Sequence, residues 1–153
     1  MPAFATADFR RDFTAPDGKL PVSASIIIAA DNVYTLYVNG KEIGTGNNLR
    51  QSQSYCVDLE PGCNNVFAVH VLNEPGTGGV ATPAALITAI DITYFDGTST
   101  TIVSDTNWRA KDNETPRFES VGFDDSTWSS AVVVGNADSL PWGLPSIPPV
   151  LCG

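Results

Sequence analysis

Ala29-Ala30-Asp31-Asn32-Val33-Tyr34-Thr35-Leu36-Tyr37-Val38-Asn39-Gly40-Lys41-Glu42-Ile43-Gly44 is the stretch that decides the fold. Asn39-Gly40 suits the two positive-φ positions of a type I′ turn. The run before it alternates Tyr34, Leu36 and Val38 on one face with Val33, Thr35 and Tyr37 on the other. A period of two leading into a tight turn is a β-hairpin, so the chain reads as an antiparallel β-domain.

Working outward, 13 glycines and 11 prolines punctuate short apolar runs, and no stretch carries the 3.6-residue period of an amphipathic helix. The pattern predicts ten strands, over residues 7–14, 21–30, 33–38, 41–44, 52–59, 65–72, 84–94, 98–104, 118–121 and 130–134. Residues 65–72 read as a central strand because both faces are apolar, with Val66, Ala68 and Leu72 on one and Phe67, Val69 and Val71 on the other. Residues 84–94 alternate, with Leu86, Ile90, Ile92 and Tyr94 inward and Thr88, Asp91 and Thr93 outward, and are expected to bend near Thr88. The fold class is all-β, a two-sheet antiparallel sandwich. With 153 residues, the expectation is a single domain over 1–153, in which 137–153 form a Pro-rich tail packed across it and anchored by Trp142, Ile147 and Leu151.

Composition removes several classes of function. A net charge of -9 with only eight Lys and Arg and no basic cluster repels phosphate backbones and anionic bilayers, so no nucleic acid is expected as a partner. No apolar run approaches the roughly 20 residues that span a bilayer, so membrane insertion is not expected. Met1 to Ala7 lacks the charged and apolar regions of a secretory signal. Low lysine content, abundant Ser and Thr and an expected disulfide favour an extracellular or secreted setting, with a cytoplasmic one left open by the missing signal.

Cys56 and Cys63 flank the turn Glu60-Pro61-Gly62, so their thiols are placed to meet across the bend; the alternative is two separate buried thiols. Cys152 is then either a free thiol or a link to another chain.

Catalysis needs chemistry that the residues do not supply. A glycosidase requires two carboxylates about 5 to 10 Å apart, one of them with a raised pKa. Glu42, Glu60, Glu74 and Glu119 lie in or beside turns, as do Asp17, Asp96, Asp124 and Asp125, and turn formation accounts for them. His70, the single histidine, falls in the central strand and reads as a packed or hydrogen-bonded ring, with no nucleophile elbow to partner it. No catalytic residue is assigned, and the chain is expected not to be an enzyme.

The order of motifs resembles the galactose-binding-like jelly rolls that precede the catalytic domains of α-L-rhamnosidases and β-galactosidase-type hydrolases, and lectin-like proteins of fungi. The resemblance rests on Asp8-Phe9-Arg10-Arg11-Asp12-Phe13, the hairpin above, Glu60 to Val69, Ile92 to Thr98, Ser104 to Arg109 and Gly122 to Trp128. It covers nearly the whole chain and implies a jelly-roll sandwich and a carbohydrate-binding role. Glycans of galactose or rhamnose type are the implied partners. The alternatives are a structural jelly roll without a sugar site, or an accessory domain of a glycoside hydrolase.

The same resemblance implies a site at one rim of the sandwich. Asp31 and Asn32, at the turn feeding the hairpin, and Asn73 and Glu74, opening an eleven-residue loop of turn formers, are the candidate hydroxyl-binding groups. Plain turn formation is the competing account of Asp31-Asn32. Rhamnose-binding modules of similar pattern hold Ca2+ at this rim, although their ligands do not map onto this chain residue by residue. For the aromatic base of a sugar site the candidates are Trp108 and Trp142, with a structural place in the sandwich as the alternative for each, whereas Trp128 belongs in the core. One such site would be weak, so homo-oligomerisation is expected to supply avidity.

Overall fold

A computed structural model of the protein describes residues 5–31, 33–47, 52–62, 64–73, 85–112 and 115–132. Ten strands occur and no helix among these residues: β1 (Ala5–Phe13), β2 (Pro21–Asp31), β3 (Val33–Val38), β4 (Lys41–Gly46), β5 (Gln53–Asp58), β6 (Asn65–Asn73), β7 (Ala85–Tyr94), β8 (Ser99–Val103), β9 (Arg109–Asp112) and β10 (Ser129–Ser130). They form a six-stranded sheet, β10-β9-β1-β6-β3-β4, and a four-stranded sheet, β5-β2-β7-β8, with every pairing antiparallel. The fold is the two-sheet antiparallel sandwich that the alternation of the hairpin requires.

The hairpin forms as its turn chemistry dictates. Asn39 and Gly40 have φ of 52° and 82°, and Tyr34, Leu36 and Val38 are buried while Val33, Thr35 and Tyr37 are half-exposed. One detail departs from a regular ladder: Leu36 pairs with Gly44 but Tyr37 pairs with Glu42, leaving Ile43 as an extra residue on β4.

The core lies between the sheets. Ala24, Ile26, Ile28, Ile90, Ile92 and Ile102 from one wall meet Tyr34, Leu36, Val38, Phe67, Val69 and Val71 from the other. Burying each large side chain contributes about 1.5 to 3 kcal/mol, so this interface is the main source of stability. As expected for a strand apolar on both faces, β6 is central, paired with β1 and β3. Its second face, at Ala68, lies beneath Phe118 and Trp128 of the segment that follows β9.

Three expectations fail for identifiable reasons. Residues 118–121 form turns and no strand: Arg117 adopts φ 62° and the Ser120 amide donates to the Arg117 carbonyl at 3.1 Å, so Phe118 is held by its ring and not by a ladder. The strand instead is β9, whose polar sequence Arg-Ala-Lys-Asp carries no apolar alternation because it lies near the sheet's margin. Thr88 points inward and not outward; it is buried, its hydroxyl donates to the Ile27 carbonyl at 2.8 Å, and the β2–β7 register runs unbroken past it, so no bend is needed. The tail at 137–153, with Trp142, Ile147, Leu151 and Cys152, lies outside the described residues.

Candidate functional site

The register brings the two halves of the candidate rim together. Asp31 ends β2 in the four-stranded sheet, a single residue separates it from Val33 of β3 in the other sheet, and Val33 pairs with Leu72, the neighbour of Asn73. Asn73 in turn pairs with Ala5, and Asp31 with Ala85. One end of the sandwich therefore carries Ala5, Asp31, Val33, Asn73 and Ala85, contributed by five strands of both sheets. Strand ends that the sequence separates by some forty positions converge there because both β2 and β6 run toward that end.

The predicted site residues divide. Asp31 stands at the rim as a strand terminus, and Asn73, at the same end in the other sheet, is buried at 3 % exposure and already engaged. Asn32, Glu74 and Trp142 lie outside the described residues. Trp108 is no sugar platform. It is 1 % exposed, its ring packs in the core, and its indole Nε1 donates to the Val103 carbonyl at 3.0 Å, so no face is open to a ligand. Trp128 is buried, as the sequence suggests.

Beside this end, the open edge between β3–β4 and β5 is filled by a tyrosine pair. The Tyr34 hydroxyl donates to Gln53 Oε1 at 2.7 Å and meets the Tyr55 hydroxyl at 2.9 Å. Burial, first, and the Tyr55 hydroxyl, second, push the Tyr34 hydroxyl well above its ordinary pKa of 10.0. Gly44 and Gly46 of β4 pass directly over these rings, where any side chain would collide with Tyr55, Tyr34 or Gln53. The pair thus closes the margin of the core next to the rim.

The ionisable groups elsewhere serve the scaffold. The His70 Nδ1 and the buried Asp8 lie 2.6 Å apart, and Asp8 also accepts from the Thr115 amide at 2.7 Å, so the histidine is the hydrogen-bonded ring expected of it. Asp12 and Asp125 both face the Arg10 guanidinium, at 3.3 and 2.5 Å, and act as its counter-ions. Among the described residues no group of three or more His, Cys, Asp or Glu side chains could hold a metal ion. Cys56 is exposed on the outer side of β5, and Cys63 and Cys152 lie outside the described residues.

No family model matches the chain. It is 39% identical to the lectin of Pleurotus ostreatus solved in complex with GalNAc, with a TM-score of 0.88 over 99% of this chain and 44% of that one. It is 30% identical over 147 residues to the α-L-rhamnosidase of Streptomyces avermitilis, across 91% of this chain and 14% of that protein. The structure of that rhamnosidase complexed with L-rhamnose superposes with a TM-score of 0.73 at 31% identity, over 95% of this chain. The chain therefore spans less than half of the lectin and about one-seventh of the rhamnosidase. Its two-sheet sandwich is a galactose-binding-like fold, related to the α-L-rhamnosidases and to a fungal lectin.

Proposed function

We propose that the chain is a non-catalytic carbohydrate-binding protein, a lectin in function, whose site is a shallow rim at the end of the sandwich where β2 and β6 finish. The observation that carries this reading is the likeness, over nearly the whole chain, to a lectin solved with a bound monosaccharide. Asp31, Asn32 and Glu74 would meet sugar hydroxyls, Asn73 would fix the start of the loop that carries Glu74, and Trp142 would lie beneath the ring. By their chemistry alone, the carboxylate and amide oxygens of Asp31, Asn32, Asn73 and Glu74 would suit a hard cation such as Ca2+ and not a soft one. Such an ion would add a positive charge for hydroxyls to coordinate, with Asp31 and Glu74 as the groups that hold it.

Neutral sugars of galactose or rhamnose type suit an acidic rim, and so few contacts imply millimolar to micromolar affinity. Homo-oligomerisation would raise this through avidity. A Cys56–Cys63 disulfide and an extracellular location belong to the same reading. Because the chain matches only 14% of the rhamnosidase, an accessory role inside a larger hydrolase is the second reading. A glycan array of the whole chain, run with and without EDTA, tests the proposal: binding of neutral glycans that Asp31→Ala weakens supports it, and binding to no glycan under either condition refutes it.

A further inference from the structure

At the end of the sandwich opposite Asp31 and Asn73, two turns are fastened side by side. The loop Phe95-Asp96-Gly97 joins β7 to β8. It is closed by the Tyr94 amide donating to the Thr98 carbonyl at 2.8 Å and the Gly97 amide to the Tyr94 carbonyl at 2.9 Å, with Gly97 at φ 86°. This is a three-residue hairpin loop whose last position needs glycine and whose first accepts almost any residue. The turn before β2 holds Gly18 at φ 82°, and the Lys19 amide donates to the Pro16 carbonyl at 3.0 Å. The Lys19 ammonium then ties the two loops together, reaching Asp96 Oδ2 at 2.6 Å and Thr98 Oγ1 at 2.9 Å, while the Phe95 amide donates to the Leu20 carbonyl at 2.8 Å.

What this bracing presents is an aromatic ring. Phe95 is 80 % exposed and Leu20 beside it 49 %. Turn geometry does not call for phenylalanine there, and the backbone around it is fixed by four hydrogen bonds, so binding against the ring would cost little ordering of the protein. At its margin stands a fixed polar set. Asp96 Oδ1 accepts from the Thr98 amide and hydroxyl and Oδ2 accepts from Lys19; the ammonium, which also lies 5.8 Å from the Tyr94 ring centroid, has given two of its three hydrogens, so one ammonium hydrogen and one carboxylate lone pair are left over from these hydrogen bonds. An apolar ring next to an adjacent donor and acceptor suits a pyranose, whose C–H face packs on the ring while neighbouring hydroxyls bond at the edge. The apolar area comprises two side chains, which matches one sugar and falls far short of the roughly 800 Å² per partner of a stable protein interface. Asp17 and Asp96 together with a net charge of -9 select against acidic sugars.

We propose that Phe95 is the stacking platform of a second carbohydrate subsite, specific for neutral pyranoses, at the opposite end of the sandwich from the Asp31 rim. This rests on the carbohydrate-binding reading above and makes a single chain bivalent.

The test is an amide-resolved NMR titration of the 15N-labelled full chain with GalNAc, L-rhamnose and, as a charged control, glucuronate. The expected result is saturable shifts at Phe95, Asp96 and Gly97 with a neutral sugar and none with glucuronate. Phe95→Tyr should keep them, and Phe95→Ala should weaken binding at the hairpin by about 3- to 10-fold while leaving shifts near Asp31 intact. Neutral-sugar shifts confined to the Asp31 end would overturn the subsite and leave the first proposal standing; shifts confined to the hairpin would do the reverse. A Phe95→Ala chain that binds sugar normally but loses mass in solution would assign the ring to a second copy of the chain and also overturn the subsite. No response at either end would refute both.

Discussion

The Arg10 guanidinium is wholly buried and donates to Asp125, 115 residues away in sequence, at 2.5 Å. It also donates to the Phe118 and Ser120 carbonyls at 2.6 and 3.0 Å and lies 5.3 Å from the Phe123 ring centroid. One side chain from β1 thereby holds the whole segment that covers the outer face of the six-stranded sheet. Removing a counter-ion from a buried charge is far more costly than removing an exposed one. Asp125→Ala should therefore destabilise by about 2 to 3 kcal/mol in urea unfolding, and Asp12→Ala, whose carboxylate is much more exposed, by less than about 1 kcal/mol. Equal effects would mean the guanidinium is not the latch.

Trp108 is expected to behave as a core residue. Trp108→Ala removes a buried indole and leaves the Val103 carbonyl without its donor, and should cost about 3 to 5 kcal/mol. Calorimetry would show the loss as a large fall in Tm. Loss of sugar binding without loss of stability would instead return this ring to a ligand role.

Gly44 and Gly46 act as spacers for the tyrosine pair. Alanine at Gly46 sets a methyl group against the Tyr34 ring and the Gln53 amide, and at Gly44 against the Tyr55 ring, so each should destabilise by about 1 to 3 kcal/mol through overpacking. Gly62 has open space around it, and Gly62→Ala should fall within about 0.5 kcal/mol of the parent protein.

Tyr34 makes stability fall at alkaline pH. Its hydroxyl titrates above 10.0 in the folded chain, chiefly because it is buried, and near that value once unfolded. Between the two the native state holds the extra proton, so the contribution is intact below pH ~10 and is lost as pH rises beyond it. Denaturant midpoints of the parent chain should drop above pH 10, and those of Tyr34→Phe should drop less. Parallel curves would contradict this assignment.

Much of the scaffold is legible because its elements are locally determined. Asn39-Gly40 allows one turn type, and the burial that alternates along Val33–Val38 follows from the pleat. β6 announces its central place through apolar residues on both faces. Where sequence reading fails, long-range contacts decide. Thr88 points inward because it shares the pleat face of Ile90, Ile92 and Tyr94, and the Ile27 carbonyl, 61 residues away, satisfies its hydroxyl there. Phe118 forms no strand because Trp128 and Ala68 already hold its ring, and β9 is invisible as a polar strand near the margin.

The candidate rim is legible in part. Asp31-Asn32 and Asn73-Glu74 stand out as turn residues, but only the register of β2, β3 and β6 brings Asp31 and Asn73 to the same end of the sandwich. Asp105-Thr106-Asn107 before Trp108 resembles the segment before Trp128 and so allows a structural ring as well as a sugar platform; the burial of Trp108 and its indole hydrogen bond to the Val103 carbonyl, which the spacing does not single out, decide for the core. Phe95, an aromatic residue in a turn, is exposed on a hairpin that the Lys19–Asp96 pair ties to the loop before β2.

Isothermal titration calorimetry of the whole chain against GalNAc and L-rhamnose, beside Asp31→Ala under the same conditions, tests the central claim most directly. A neutral sugar should bind in the millimolar to micromolar range, with the signal of the Asp31 rim lost in the variant and only that of the Phe95 subsite remaining. An unchanged isotherm in Asp31→Ala, or hydrolysis of an aryl rhamnoside or galactoside by the chain alone, would contradict it.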